Sequence, residues 1–284
     1  MTPEYGFTKG TFSIEGCTAA YFEGGAPGGF PLLLMHGLGP GAAVANAFGT
    51  IQSFLAAHFH VFAMDLIGFG HSGRKPAPPY FDFPLWVRQA RALIQRMPAG
   101  PIGVFGNSAS GAIALQLAAS EPRVAAVITT GTVGTRMTVN EHLKRLWTCP
   151  KTREELRLAM KGLLFDADAV PQDLLDSRWA TLQAPGYSDY FGAMFSGDVQ
   201  RLADTWVVAD EDVARIRADY TLVHGRNDLP CPAEPNSILL ADRIKHANLV
   251  LLSQCGHAPA AEQPAKVQAA IRLAFGRHVD FGRG

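Results

Sequence analysis

Ser108 stands in Gly106-Asn107-Ser108-Ala109-Ser110-Gly111, directly after the apolar run Pro101–Phe105 and at the head of the helical pattern Ala109–Ser120. A strand that runs through a sharp turn into a helix lifts the central hydroxyl above a sheet, where it can act as a nucleophile. Such a turn asks for small residues two places to either side. Gly106 meets the demand, while Ser110 stands where glycine is usual and needs space for its Cβ. Ser110 also has small neighbours, Ser108 and Ala112, but the strand ends at Gly106 and the turn must follow at once, which favours Ser108. An ordinary loop with Ser108 capping the helix is the alternative that this motif alone leaves open.

Two further sites narrow it. The run Tyr220–His224 leads to Gly225-Arg226-Asn227-Asp228, and Leu249–Ser253 leads to Gln254-Cys255-Gly256-His257. Serine, acid and histidine thus each follow the carboxyl end of a strand, in the chain order of α/β-hydrolases. The histidine would take the proton of the serine, and the carboxylate would orient the histidine. Asp65 also ends a strand, but it opens the glycine-rich Asp65–Gly73 turn upstream of Ser108 and reads as structural. His36 and His224 each precede a glycine after a strand, which suits a loop-shaping role, and His58, His60, His71, His246 and His278 have no comparable setting.

The loop His36-Gly37-Leu38-Gly39-Pro40-Gly41 follows the run Pro31–Met35, and its glycines let amides turn toward the site. The N–H groups of Leu38 and of Ala109, the residue after the nucleophile, are therefore the expected oxyanion donors. A phosphate-binding loop is the competing reading. It is rejected because the GxxxxGK[ST] lysine is absent and no GxGxxG opens a helix.

These side chains need a scaffold. Residues 11–23 read as a hairpin broken at Glu15-Gly16. The short apolar runs Pro31–His36, His60–Asp65, Pro101–Phe105, Val124–Thr130, Tyr220–His224 and Leu249–Ser253 read as parallel strands buried on both faces. Helical patterns at Leu85–Met97, Ala109–Ser120 and Ala265–Phe275 lie between or after them. The fold expected is α/β, a mostly parallel, doubly wound sheet with an inserted helical cap. Its core would comprise 1–135 and 213–284. The cap would be 136–212, where helical patterns follow one another without a strand, and it would close the crevice at the strand ends. Phe281–Gly284 reads as a loose end.

The chain of 284 residues is 48% hydrophobic and 18% charged, which suits a buried core and excludes a disordered chain. Twenty-five basic and 25 acidic residues cancel, so there is no charge footprint for nucleic acid or an anionic membrane. Cys17, Cys149, Cys231 and Cys255 are scattered, without metal-ligand spacing or a disulfide framework. No leader pattern and no apolar run near the roughly 20 residues of a membrane helix is read, so the expected location is cytoplasmic.

With HGLGPG, GNSASG, SRWATLQAPG, HGRND and SQCGH in place, residues 30 to 275 resemble the meta-cleavage product hydrolases. These are α/β-hydrolases that split carbon–carbon bonds of aromatic ring-fission products, and the likeness is nearest to the 2-hydroxymuconate semialdehyde type. The resemblance implies a triad of Ser108, Asp228 and His257. It further implies substrate-carboxylate contacts at Asn107 and Arg178, a cap tryptophan at Trp206, and a loop asparagine at Asn46. The expected partner is a small carboxylate-bearing dienoate, with no cofactor and no metal, and the chain is expected to form a homo-oligomer, a dimer or larger.

Arg178 has independent support, since Leu174, Leu175, Arg178, Trp179 and Leu182 share one helical stripe. A charge on that stripe either snorkels to its edge or aims at an anion. For Trp206, simple packing within the cap is as good a reading as substrate contact. Ala258 stands where the family has tryptophan; it widens the pocket and suits ordinary esterases. The resemblance implies two steps, ketonisation of a dienol and then attack of Ser108 on the 6-carbonyl. The rivals are a carboxylesterase with the same triad and a ligand receptor on a hydrolase scaffold.

Overall fold

The computed structural model describes residues 6–282. Met1–Tyr5 and Arg283–Gly284, on which parts of the expectations about both chain ends fall, lie outside the described residues. Among the described residues eight strands form one sheet: β1 (Thr8–Ile14), β2 (Cys17–Gly25), β3 (Phe30–Met35), β4 (Phe59–Met64), β5 (Ile102–Asn107), β6 (Val124–Thr130), β7 (Asp219–Gly225) and β8 (Asn248–Leu252). Their order is β1-β2-β4-β3-β5-β6-β7-β8. The first hairpin and the β2–β4 pair are antiparallel, and every pairing from β4 to β8 is parallel.

Local chemistry explains the pieces. The hairpin turns at Glu15 and Gly16, both with positive φ, as a tight two-residue turn between right-twisted strands requires. β3 is apolar throughout, and β5 and β7 are buried along nearly their whole length, because helices cover the sheet on both sides. Helices Phe83–Ile94 and Ala109–Ser120 pack on one face, with Trp86 and Ile113 in its core. Helix Pro264–Phe275 packs on the other, where Phe59, Phe105 and Phe275 meet.

Between β6 and β7 lie six helices: Glu141–Leu146, Arg153–Lys161, Gln172–Leu182, Tyr187–Met194, Val199–Asp204 and Asp210–Val213. Three of them start on residues suited to that place: Asn140, Thr152 and Asp198 each accept an amide of the first turn. The amide of Val208 donates to the Gly134 carbonyl at 2.8 Å, so the segment's end is tied to the chain just beyond β6. One expectation needs correction at the C-terminus. Phe281 is packed, stacking on Phe54 and lying beneath Arg272, because Phe54 and Arg272 leave an apolar and cationic seat for its ring.

Candidate active site

β5 ends at Asn107 and the chain reverses at Ser108, whose φ of 58° and ψ of −122° are strained for a residue with a side chain. The turn explains its small neighbours. A Cβ on Gly106 would fall 2.4 Å from the Ser110 carbonyl oxygen, and one on Gly37 would fall 2.7 Å from the Ser108 Cβ. Ser110 finds its space: it is fully buried, and its hydroxyl donates to the His36 carbonyl at 2.5 Å. The departure from glycine thereby ties the elbow to the loop after β3.

The three chemical side chains meet. Ser108 Oγ lies 2.8 Å from His257 Nε2, and His257 Nδ1 lies 2.7 Å from Asp228 Oδ2. All three are buried. Asp228 is held further, its Oδ1 accepting the Cys231 amide at 2.9 Å and its Oδ2 lying 3.0 Å from His224 Nε2. Burial alone would push the Asp228 carboxyl up, but His257 and His224 beside it hold it down at about 2, so it is an anion at neutral pH.

Burial also disfavours a charged ring at His257, yet Asp228 more than offsets this and its pKa is raised above the ordinary 6.5. A histidine takes a proton only when neutral, so any activity that uses His257 as base is expected to fall as pH drops through its pKa. The acid limb of kcat/KM is therefore expected on the alkaline side of 6.5. A pH profile with its acid midpoint below that value would show that Asp228 does not act on the ring.

Ser108 and His257 open on a cavity of about 290 Å³, bordered also by Leu38, Asn107, Asn46 and Arg178, with Asp228 behind the histidine. The amide of Ala109, in the first turn of its helix, has no intrahelical acceptor and adjoins Ser108. Asn107 Nδ2 donates to Thr130 Oγ1 at 3.0 Å, which fixes the side chain at the end of β5. Asn46 binds its own loop, through the Ala43 amide and the Gly41 carbonyl. The Arg178 side chain reaches the loop after β3, and its Nη1 donates to the Pro40 carbonyl at 3.1 Å. Gly41 permits this approach, since a Cβ there would lie 2.4 Å from the Arg178 carbonyl oxygen. Arg178 Nε is enclosed and has no hydrogen-bond partner among the described residues. Burial lowers its pKa to about 10, a measure of how poorly the charge is compensated.

Trp206 requires correction. It does not border the cavity but is buried edge-on against Trp147 at 5.4 Å, because the aromatic cluster of the inserted segment claims it. Asp65 has the structural role expected of it, its carboxylate accepting the amides of Val44 and His71. Sequence reasoning missed the contact of His224 with Asp228; the spacing of four residues in HGRND was the available signal. It also passed over Glu262, which borders the cavity five residues beyond His257. Among the described residues no group of three or more His, Cys, Asp or Glu is arranged to hold a metal ion, and no helix is long and apolar enough to cross a membrane.

The description "Alpha/beta hydrolase family" fits residues 32–270. The chain is 32% identical over 239 residues to the 2-hydroxymuconate semialdehyde hydrolase of Pseudomonas sp. strain CF600, covering 84% of each protein. It superposes with a TM-score of 0.88 on the meta-cleavage product hydrolase from Pseudomonas fluorescens IP01, at 25% identity, covering 96% of this chain and 99% of that one. For the 2-hydroxy-6-oxo-6-phenylhexa-2,4-dienoate hydrolase of Rhodococcus sp. strain RHA1 the TM-score is 0.85 at 27% identity, covering 95% and 99%.

Proposed function

The chain belongs to the alpha/beta hydrolase family and, within it, to the meta-cleavage product hydrolases, and from that premise we propose that it hydrolyses a carbon–carbon bond in a 2-hydroxy-6-oxohexa-2,4-dienoate-type ring-fission product. Such a bond breaks only when the departing carbon can hold charge, which a vinylogous dienoate provides once its dienol has ketonised. In the first step Arg178 and Asn107 hold the carboxylate and the 2-oxygen while His257 helps move a proton onto the carbon chain. In the second, Ser108 gives its proton to His257 and adds to the 6-carbonyl. Asp228 keeps the imidazole in the required tautomer, and the Leu38 and Ala109 amides stabilise the oxyanion. The dienolate leaves, and water frees the acyl group from Ser108. Residues 136–212 serve as the lid, and Asn46 borders the same cavity. The free thiols of Cys17, Cys149, Cys231 and Cys255 favour a reducing compartment, the cytoplasm in this reading.

The observation that carries the proposal is a guanidinium bordering the same cavity as Ser108, with an enclosed Nε that lacks an acceptor among the described residues. An ester pocket has no use for a cation there, whereas a substrate carboxylate in the cavity supplies the guanidinium with a counter-charge. Arg178→Ala is therefore expected to raise KM for a dienoate by roughly 100-fold, the order lost with a buried charge-assisted pair, and to leave a neutral p-nitrophenyl ester nearly unaffected. Steady-state kinetics on both substrates check this, and equal effects on the two would make Arg178 structural.

Ala258 favours a second reading. It borders the cavity and supplies no aromatic wall, which suits a carboxylesterase with the same triad. Loss of a yellow dienoate's absorbance, measured beside short-chain ester hydrolysis, separates the two: a clear rate preference for the ester selects the esterase.

A further inference from the structure

One carboxylate holds the turn that carries His257 from two sides. Glu262, at the end of the short helix Pro259–Glu262, accepts the Gly256 amide at 2.9 Å and the Ala258 amide at 3.3 Å on Oε1, the two amides that flank His257. Its Oε2 accepts the Phe165 amide at 2.7 Å, from the stretch between helices Arg153–Lys161 and Gln172–Leu182. The same stretch gives a bond back, as the His257 amide donates to the Leu163 carbonyl at 2.7 Å. Gly256 lies flush against it, and a Cβ there would fall 2.5 Å from the Leu163 oxygen. Leu163, Leu164 and Phe165 border the cavity together with Glu262 and His257.

We infer that Glu262 is a positioning residue that couples the seating of residues 163–165 over the cavity to the alignment of His257 on Ser108. When this strap is seated, the amide of His257 and both amides beside it have acceptors, and the ring is aimed. When it lifts, the Leu163 carbonyl and the Phe165 amide are withdrawn together, and Nε2 loses the frame that holds it 2.8 Å from Ser108 Oγ. Base alignment then belongs to the closed cavity alone, which spares the nucleophile from water while the site is open. The inference rests on the assignment of His257 as base.

The charged and titratable groups around the ring are Asp228, backed by His224, together with Ser108 and Glu262. Cys255 lies against Glu262, and Lys266 is the further charge that acts on Cys255. Removing the negative charge of Glu262 takes away a group that favours the imidazolium, so the pKa of His257 falls.

The test uses the full chain and a fluorophosphonate, which phosphonylates an activated serine: the Ser108 oxygen bonds to phosphorus, fluoride departs, and His257 takes the proton. Labelling rates are measured across pH for the wild type, Glu262→Gln and Phe165→Pro; the last deletes the strap's amide and leaves the carboxylate. Both variants are expected to label about tenfold more slowly at pH values where His257 is neutral, the order expected for a misplaced catalytic group. The acid limb moves to lower pH in Glu262→Gln and stays in place in Phe165→Pro. A wild-type rate in either variant overturns the inference, as does a slowed Glu262→Gln with an unmoved acid limb and only a lower Tm. Should Phe165→Pro not fold, Gly256→Ala, whose methyl displaces the strap, takes its place with the same expectation. The probe needs no carbon–carbon substrate. A wild type that labels yet cleaves no dienoate therefore counts against the proposed function alone.

Discussion

Ser108→Ala is expected to lower turnover of a dienoate by roughly 10⁴-fold or more, the scale on which removal of a triad nucleophile falls, while the substrate still binds. The reason lies in which contacts survive. The Leu38 and Ala109 amides are backbone groups, and Arg178 is held by the Pro40 carbonyl rather than by the serine. Alanine is smaller than serine, and Gly37 already leaves room against the Ser108 Cβ. Equilibrium dialysis or the absorbance of the bound dienoate reads the affinity, and single-turnover kinetics read the chemistry. If ketonisation precedes attack, the variant also accumulates a bound species whose spectrum differs from that of the free dienol. Full turnover in Ser108→Ala would mean that the nucleophile is elsewhere.

Asp228→Asn is expected to cost about 10³- to 10⁴-fold in kcat, as loss of the carboxylate in a serine triad does. Two histidines share Oδ2 of Asp228, His257 at 2.7 Å and His224 at 3.0 Å. An amide oxygen can still accept from one of them, but if the NH2 faces His257 Nδ1 it demands the wrong tautomer, with the proton on Nε2, where the proton of Ser108 must go. The charge is lost as well, so the pKa of His257 drops and the acid limb of the residual activity moves toward lower pH. Measuring kcat and the pH profile together tests both effects. A variant that retains wild-type kcat with an unmoved limb would exclude Asp228 from the relay.

Much of this site could be read in the chain because its parts are locally encoded. The elbow needs an apolar run, Gly106 and a serine in adjacent places, and Asp228 and His257 each stand in the loop that follows a strand. The sheet was legible for the same reason, since its central strands are buried on both faces and their runs are mostly apolar, while β8, at the edge, is partly exposed. What escaped was set by contacts between distant segments. Trp206 lies among aromatic residues brought together by the helices of the inserted segment, and nothing in its neighbours in sequence says which way its ring turns. Glu262 looks like any acid at a helix end until the Phe165 amide arrives from nearly a hundred residues upstream. Phe281 follows a turn and reads as a tail, yet Phe54 and Arg272 make a seat for it.

The order of the parts along the chain has a consequence for biosynthesis. β6 pairs with β7 only after the whole helical segment between them has been made, and His257 follows β8, at the sheet's edge. A ribosome delivers Ser108 well before His257, so the nascent polypeptide carries the strained hydroxyl for a time without the imidazole that faces it in the folded chain. The Ser108–His257 contact forms only once β8 has docked beside β7.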